Sequence, residues 1–253
     1  MLIIKKGMTR VLVGCPTYEG YRYCLKEYAE RVKALTYHDY DIVLADNSKG
    51  NDYAHEIKLH DIEVIRERHL QSIYERIVES RNLLRERMLK GKYDYFLSLE
   101  QDVIPPVDII EKLIRHGKDV VSGIYYKLYN VNVRGKDGIV RQKKTLLPLI
   151  FMPSNDKDKM HVCYPKDVEG EQFFKIRACG LGCVLIGKEV LEKVKFRYDP
   201  TKSTFDDFLF CTDVIEKGFE IYADTSVKCK HLFLQKGDVF KDMKKEEAEN
   251  SDS

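Results

Sequence analysis

The chain has 253 residues, which allow one large domain or two small ones, and its 43% hydrophobic residues can fill a sizeable core. Its 43 basic and 41 acidic residues leave a net charge of +2, which excludes a binder of nucleic acid or another polyanion driven by bulk charge, and an acidic disordered chain. No apolar run reaches the roughly 18 residues of a membrane-spanning helix, and no secretory apolar segment precedes Lys5. We therefore expect a cytoplasmic protein with seven reduced, mostly buried cysteines.

The first half of the chain alternates apolar runs with amphipathic stretches. The apolar runs predict strands over residues 11–18, 41–46, 62–65, 93–106 and 119–126. Apolar residues spaced by three and four predict helices over residues 20–35, 72–89 and 107–116. The polar residues 47–52 are interpreted as a turn. This alternation predicts an α/β fold, a mostly parallel sheet with helices on both faces.

Residues 128–172 break this alternation. They are rich in charge, glycine and proline, and we interpret them as a hairpin or loop inserted into a single domain of residues 1–235. LLPLIFM (146–152) is expected to be one strand of that hairpin. The part from 128 to 150 is strongly basic, so it is either a flap over an acceptor or donor phosphate, or a solvated loop.

Regular structure is expected to resume after the insertion. Residues 173–194 are predicted to form a strand pair or a strand followed by a helix. A helix is predicted from near Asp206 to Gly218, with a strand over residues 220–224 behind it. The charged end, residues 236–253, lacks an apolar stripe and is predicted to be disordered.

Polar side chains stand where the predicted strands end, at Thr17, Asp46, Glu100 and Asp102. Binding sites of parallel sheets lie at the carboxyl ends of the strands. Glu100 and Asp102 would share one side of a regular strand, and such carboxylates suit Mg²⁺ or Mn²⁺ together with a substrate phosphate. The alternative is a solvated strand end. Asp46 is either a ligand of a nucleotide base or ribose, or a turn residue.

Three further positions have a structural and a functional interpretation. Arg81 falls on the apolar stripe of its helix and needs an anionic partner, either a carboxylate of the protein or a phosphate. Asp206 and Asp207 open a predicted helix, where they would be capping residues after Ser203 and Thr204 or a general base. His231 is either an ordinary surface or core histidine or a ligand.

Several common motifs are absent from the sequence. Cys179 and Cys183 have no second pair at zinc spacing, and Gly180-x-Gly182 lacks the third glycine of a dinucleotide-binding motif. Neither a P-loop nor the G-x-S-x-G motif of serine hydrolases occurs.

Taken in order, eight elements of the sequence resemble a family 2-type glycosyltransferase with the GT-A fold. They are VLVGCPTY (11–18), DIVLADNS (41–48), ESRN (79–82), YFLSLEQD (95–102), DVVSGIYY (119–126), ACGLGCVLIGKEVLEKV (178–194), TFDDFLFC (204–211) and His231. Together they cover about residues 10–232.

The resemblance implies a nucleotide-sugar donor, a UDP- or GDP-sugar, and Mn²⁺ or Mg²⁺ as cofactor. It places in the nucleotide-sugar site the residues Pro16, Thr17, Tyr18, Asp46, Arg81, Asn82, Glu100 and Gln101. It assigns contacts with donor sugar and acceptor to Gly180, Leu181, Gly182 and Cys183. The metal ligands are Asp102 and His231, and the acidic pair of the catalytic site is Asp206 and Asp207, with Asp207 as the base.

Two departures from the family pattern concern the acids. Glu100 stands where the DxD metal motif begins with Asp, and Asp206 stands where the pair usually begins with Glu, which shortens its reach. The chain also has no tryptophan, so the Q-x-x-R-W motif of processive synthases is missing. The resemblance then implies a hexosyltransferase-like enzyme that transfers one sugar to an acceptor hydroxyl by inverting displacement.

The acceptor class stays open among a saccharide, a lipid-linked molecule and a protein, and a lipid-linked one would add a peripheral membrane location. The sequence does not determine the oligomeric state. Two other functions are alternatives. A sugar-nucleotide nucleotidyltransferase should carry a glycine-rich loop and an arginine after the first strand, which GCPTYEGYR (14–22) matches poorly. A non-catalytic, nucleotide-binding GT-A-like domain would not need intact carboxylates at Asp102 and Asp207.

Overall fold

The computed structural model describes residues 9–134, 139–156, 160–201 and 205–232. The predicted disordered end, residues 236–253, lies outside the described residues, as do Ser203 and Thr204. The strands are β1 (Val11–Thr17), β2 (Tyr40–Asp46), β3 (Glu63–Arg66), β4 (Tyr95–Leu99), β5 (Val103–Ile104), β6 (Val120–Ile124), β7 (Tyr126–Arg134), β8 (Val140–Pro148), β9 (Ile150–Pro153), β10 (Met160–Val162), β11 (Phe173–Ile176), β12 (Ala178–Cys179), β13 (Cys183–Gly187), β14 (Ile221–Lys228) and β15 (Lys230–His231). The α-helices are α1 (Leu25–Lys33), α2 (Asp52–Lys58), α3 (Ile73–Lys90), α4 (Ile109–Ile114), α5 (Lys188–Lys193) and α6 (Asp206–Glu216).

An eight-stranded sheet forms the centre of the fold, in the order β11-β14-β6-β13-β4-β1-β2-β3. The strand pairs β4-β1, β1-β2, β2-β3 and β14-β6 are parallel, whereas β13 and β11 run antiparallel to their neighbours. The register sets Thr17 of β1 beside Asp46 of β2. The predicted α/β fold with a mostly parallel sheet is therefore confirmed, and the ends of β1 and β2 meet at one edge.

Helices cover both faces of this sheet. Helices α1, α2 and α4 pack on one face, and α3, α5 and α6 pack on the other. The side chains of β1 point alternately to the two faces of the sheet. Val11, Val13 and Cys15 pack on the side of α1, α2 and α4, and Leu12 packs on the side of α3, α5 and α6. A strand buried on both faces has a continuous apolar run, which is why the sequence of β1 is so readily assigned.

Residues 128–172, predicted to be an insertion, contain more strands than expected. Strands β7 and β8 form a long antiparallel hairpin, and β9 pairs with β10 and β12 in a small separate sheet. The predicted single strand over 146–152 is wrong, because Leu149 divides it between β8 and β9. The amide of Leu149 instead donates to the carbonyl of Tyr125, which fastens the base of the hairpin to the domain.

Two further differences concern the first half of the chain. Helix α2 follows the polar turn and was not predicted, because only Tyr53, Ala54 and Ile57 of its seven residues are buried. The predicted strand over 93–106 is interrupted after Leu99 by a turn that precedes β5.

All seven cysteines are described, and all are buried thiols outside any disulfide, as predicted. Among the described residues, no helix combines the length and the apolar character needed to cross a membrane.

The close approach of β1 and β2 gives a test of this packing. A Cβ at Gly14 would lie 2.2 Å from the backbone oxygen of Val43, so Gly14→Ala must push two central strands apart. We expect the substitution to lower the free energy of unfolding by at least about 1–3 kcal/mol. Gly50→Ala is the control, because nothing lies within 4 Å of the position that its methyl group would occupy. Urea denaturation of both variants measures the difference, and equal stabilities would contradict this packing.

Candidate active site

Arg81 of α3 lies at the centre of a buried polar cluster at the end of the sheet. Its side chain is 5% exposed, its Nε lies 2.6 Å from Oδ2 of Asp206, and its Nη2 lies 2.8 Å from Oε1 of Glu100. Its Nη1 donates to the hydroxyl of Ser98 in β4. Burial alone disfavours the charged guanidinium, but Asp206 and Glu100 outweigh it and raise the pKa of Arg81 above its ordinary value. The anionic partners of Arg81 are thus two carboxylates of the protein.

The two acids that begin α6 have different surroundings. Asp206 is buried against Arg81, whereas the side chain of Asp207 is half-buried and its Oδ1 accepts from the amide of Phe208. Burial and the neighbouring charge of Asp206 raise the pKa of Asp207 to about 7. The residue before α6 is Phe205, which supplies no side-chain cap. Asp207 is therefore a carboxylate that can accept a proton near neutral pH.

Glu100 fits its place because residue 182 is a glycine. A Cβ at position 182 would lie 3.0 Å from Oε2 of Glu100 and 2.7 Å from the hydroxyl of Tyr125. The amide of Glu100 donates to the carbonyl of Gly182, and the amide of Gly182 donates to Tyr125. Gly180 is tighter still, with a Cβ position 2.1 Å from the Tyr125 hydroxyl. The two glycines therefore make room for Tyr125 and Glu100.

Glu100 and Asp102 do not share one side of a strand, because the chain turns between them. Oδ2 of Asp102 instead lies 3.4 Å from Nε2 of His231 and accepts from the hydroxyl of Tyr23. Nδ1 of His231 lies 2.7 Å from the carbonyl oxygen of Tyr126, so the neutral ring carries its proton on Nδ1. A ring nitrogen with a lone pair then faces a carboxylate oxygen.

That pair suits a divalent cation. Imidazole nitrogen and carboxylate oxygen are both ligands of Mn²⁺, and a carbonyl that accepts from the second ring nitrogen is the usual support of a metal-bound histidine. Among the described residues, no group of three or more His, Cys, Asp or Glu side chains is placed to hold a metal. Asp102 and His231 thus resemble sites where one or two side chains and a substrate phosphate share the ion.

Several residues of the predicted nucleotide-sugar site form hydrogen bonds with other residues of the protein. Thr17 donates to Oε1 of Gln101, and the buried Gln101 amide also bonds to Tyr53. Asp46 accepts from Ser48 and from Arg66, as the turn interpretation expects. These three predicted residues brace the ends of β1, β2 and β4.

Two further residues of the predicted nucleotide-sugar site lie at the end of β1 and directly after it. Pro16 and Tyr18 are half-buried, and the ring of Tyr18 lies edge-to-face with Tyr21 at 5.4 Å between centroids. They border the braced ends of the strands, and part of the surface of each residue is exposed.

Three predicted residues have partners within the protein. The amide of Asn82 is engaged with both backbone groups of Phe196, which fastens α3 to the segment before α6. The side chains of Leu181 and Cys183 are buried in the core, in the two layers on opposite faces of the sheet. These contacts give all three side chains a structural role, and their contacts with sugar or nucleotide stay predictions.

Tyr125 was missed by the sequence analysis. Its hydroxyl bonds to Gly182, and its ring lies edge-to-face with His231 at 5.4 Å between centroids. It therefore joins the Arg81 cluster to the pair of Asp102 and His231. Ser98, also missed, carried a signal, since it is a polar residue within the apolar run of β4.

The Arg81 cluster predicts a large loss of stability when its charge is removed. Arg81→Met leaves the carboxylates of Asp206 and Glu100 without their cation, and we expect a loss of about 3–5 kcal/mol in the free energy of unfolding. Arg68→Met is the control, because it removes an exposed pair with Glu79 that solvent screens, and it should leave the stability almost unchanged. In a double-mutant cycle, adding Asp206→Asn should restore part of the loss. Strict additivity in denaturant melts would contradict the coupling.

No protein-family model matches the chain, and neither does any curated protein sequence. Among solved structures, the chain is similar to GalNAc-T7 with UDP, GalNAc and Mn²⁺, with a TM-score of 0.57 and 13% identity over 89% of this chain and 44% of that chain. It is also similar to S. aureus TarS, with a TM-score of 0.52 and 12% identity over 85% of this chain and 35% of that chain.

A third similar structure is S. aureus TarS 1-349 in complex with UDP-GlcNAc, with a TM-score of 0.51 and 12% identity over 85% of this chain and 55% of that chain. The chain thus spans less than two thirds of each of these proteins. These similarities show that the chain has a GT-A-type fold. A fold by itself does not determine a reaction, which has to be argued from the site.

Proposed function

We propose that the chain is a metal-dependent glycosyltransferase that moves one sugar from a UDP- or GDP-sugar to an acceptor hydroxyl. The observation that carries the proposal is Asp207, a half-buried carboxylate whose pKa is raised to about 7, beside the Arg81 cluster in a GT-A-type fold. The structures of GalNAc-T7 and TarS 1-349 contain UDP with a sugar or a UDP-sugar, which supports this donor class.

Asp102 and His231 are the residues proposed to hold Mn²⁺ or Mg²⁺. When bound, the ion supplies positive charge that makes the nucleoside diphosphate a better leaving group. Tyr126 orients His231 through its carbonyl, and Tyr23 orients Asp102 through its hydroxyl. Pro16 and Tyr18 border the nucleoside, and Asp46 shapes its pocket through the turn that it forms with Ser48.

Asp207 is proposed to take the proton of the acceptor hydroxyl as that oxygen attacks the anomeric carbon of the donor sugar. A base with a pKa near the working pH combines sufficient basicity with a large deprotonated fraction. Arg81 holds Asp206 and Glu100 in place. Asp206 then positions the neighbouring Asp207, and Glu100 forms part of the wall of the proposed cleft. Displacement in one step inverts the anomeric centre, and the anomeric configuration of the product, read by proton NMR, tests this.

The β7–β8 hairpin is proposed as a flap on the acceptor side. Its described basic side chains are exposed: Lys127, Arg134, Arg141, Lys143 and Lys144. Tyr129 of β7 is half-buried. Its burial, and to a smaller extent the negative charge of Asp207, raise the pKa of Tyr129 to about 12. The strand therefore has one face toward the base, and this supports a flap over the site more than a solvated loop.

The role of Asp207 predicts a specific pH profile. Since the base works deprotonated, kcat/KM should rise as the pH increases through about 7 and level off above it. Asp207→Asn should lower kcat at least about a hundredfold and remove this rise. Asp213→Asn on the same helix, where Asp213 pairs with exposed Arg197, is the control and should keep both. The rates are measured as release of nucleoside diphosphate from a panel of nucleotide sugars. Normal turnover by Asp207→Asn would contradict the assignment of Asp207 as the base.

The role of Asp102 and His231 predicts metal-dependent binding of the nucleotide. Calorimetry with UDP and GDP should show affinity that rises about tenfold or more when Mn²⁺ is added. Asp102→Asn and His231→Gln should each abolish most of that rise. His116→Gln, which alters a histidine paired with Asp224 behind α4, should leave it unchanged. Nucleotide binding without any effect of Mn²⁺ would contradict the metal site, and binding without turnover would favour a non-catalytic domain.

A further inference from the structure

Three aromatic rings from separate parts of the chain are in contact with one another, and one of them lies two residues before the proposed base. Tyr74 comes from the first turn of α3, Tyr198 from the segment after α5, and Phe205 from the residue before α6. The rings of Tyr74 and Tyr198 are parallel within 5°, with centroids 5.1 Å apart. The ring of Phe205 lies 5.3 Å from that of Tyr74. We call these three residues the aromatic platform.

The aromatic platform is open to solvent. Phe205 is 47% exposed, and the two tyrosines are half-buried. Among the residues that the structure describes, none bonds to the hydroxyl of Tyr74 or Tyr198. A single exposed apolar side chain needs no explanation, but two stacked tyrosine rings with a third, tilted ring against them combine an apolar surface with two hydroxyl groups at its rim.

The position of the aromatic platform relates it to the chemistry. Phe205 directly precedes the acidic pair of α6. The Nζ of Lys127, an exposed side chain of β7, lies 5.8 Å from the centre of the Phe205 ring. Tyr129 is two residues along the same strand and so shares the face of Lys127, and its titration is affected by Asp207. Phe205 is therefore close both to Asp207, two residues along the chain, and to the face of β7 that carries Lys127 and Tyr129.

We propose that the aromatic platform binds the acceptor, and that the acceptor is a saccharide whose ring lies on Phe205 with its terminal hydroxyl toward Asp207. This inference rests on the proposed glycosyl transfer. A pyranose has an apolar face of C–H groups and a rim of hydroxyls, and it matches an aromatic face bordered by donors. Lys127 and the two tyrosine hydroxyls supply those donors. A saccharide chain is thus the acceptor class that this surface fits best, in preference to a protein or a lipid tail.

The absence of tryptophan allows a direct binding test. Phe205→Trp introduces the one indole of the chain into the aromatic platform, and about half of the original side chain is exposed, so the core is not disturbed. Titration with N-acetylglucosamine, galactose, maltose or cellobiose should shift its fluorescence and saturate in the millimolar range with at least one of them. UDP alone should not produce this shift.

The matched control is Phe173→Trp. Phe173 is also exposed and also stacked, between His116 and Tyr222, but it lies on the edge strand β11 against the segment after α4. The fluorescence of this control variant should not respond to the sugars. If no sugar of the panel changes the fluorescence of the Phe205→Trp variant, the proposal is overturned. A response of that variant to UDP alone, or equal responses of the two variants, overturns it as well.

Kinetics give an independent check on the acceptor. Phe205→Ala should raise KM for the acceptor about tenfold and leave kcat and the donor KM within about twofold, while Phe205→Tyr keeps the wild-type values. An unchanged acceptor KM overturns the proposal. The fluorescence titration needs neither donor nor metal. If a saccharide binds but no nucleoside diphosphate is ever released, the proposed glycosyl transfer is refuted and the saccharide site is retained.

Discussion

A guanidinium group lies almost completely out of water in this protein, and the rest of the site is arranged around its charge. An unpaired buried charge would cost more than the fold can supply, so Arg81 requires anionic partners. Asp206 and Glu100 meet that requirement from two distant parts of the chain. The ion pairs therefore fix α3, the end of β4 and the start of α6 relative to one another, and they orient the residues that follow each element.

The same charges set the pKa of Asp207, the proposed base. Asp207 is next to Asp206 in sequence and feels its negative charge together with the loss of water, and Arg81 opposes this only in part. The result is a pKa near neutrality, in a side chain that keeps an exposed part.

A second constraint is space, because Gly180 and Gly182 admit the Tyr125 hydroxyl where any larger residue would exclude it. Through Tyr125 the cluster also supports His231, and so the proposed donor and acceptor sides share one framework.

Much of the fold and part of the site could be predicted from the sequence, for physical reasons that also mark the limits. Strands buried on both faces leave continuous apolar runs, so β1, β2 and β6 were assigned, and the stripe of α3 showed that Arg81 is buried. Periodicity reports burial but not partners. It therefore left open whether Arg81 meets a carboxylate or a phosphate, and it missed the aromatic platform, in which Tyr74 lies more than a hundred residues before the other two members. The short α2 and the turn after Leu99 were missed because a few residues carry too little periodicity.

The departure at the acidic pair now has a structural explanation. The resemblance to family 2-type enzymes leads one to expect Glu at position 206, and Asp206 has the shorter reach. In this fold the missing length is supplied from the other side, since the long side chain of Arg81 extends from α3 and brings its Nε to 2.6 Å from the Asp206 carboxylate. Consecutive residues of a helix point about 100° apart, so a side chain drawn inward at 206 turns its neighbour toward the cleft. A short, buried first acid and a half-exposed second acid are thus one arrangement, in which Asp206 holds the framework and Asp207 is the acid proposed to act on the substrate.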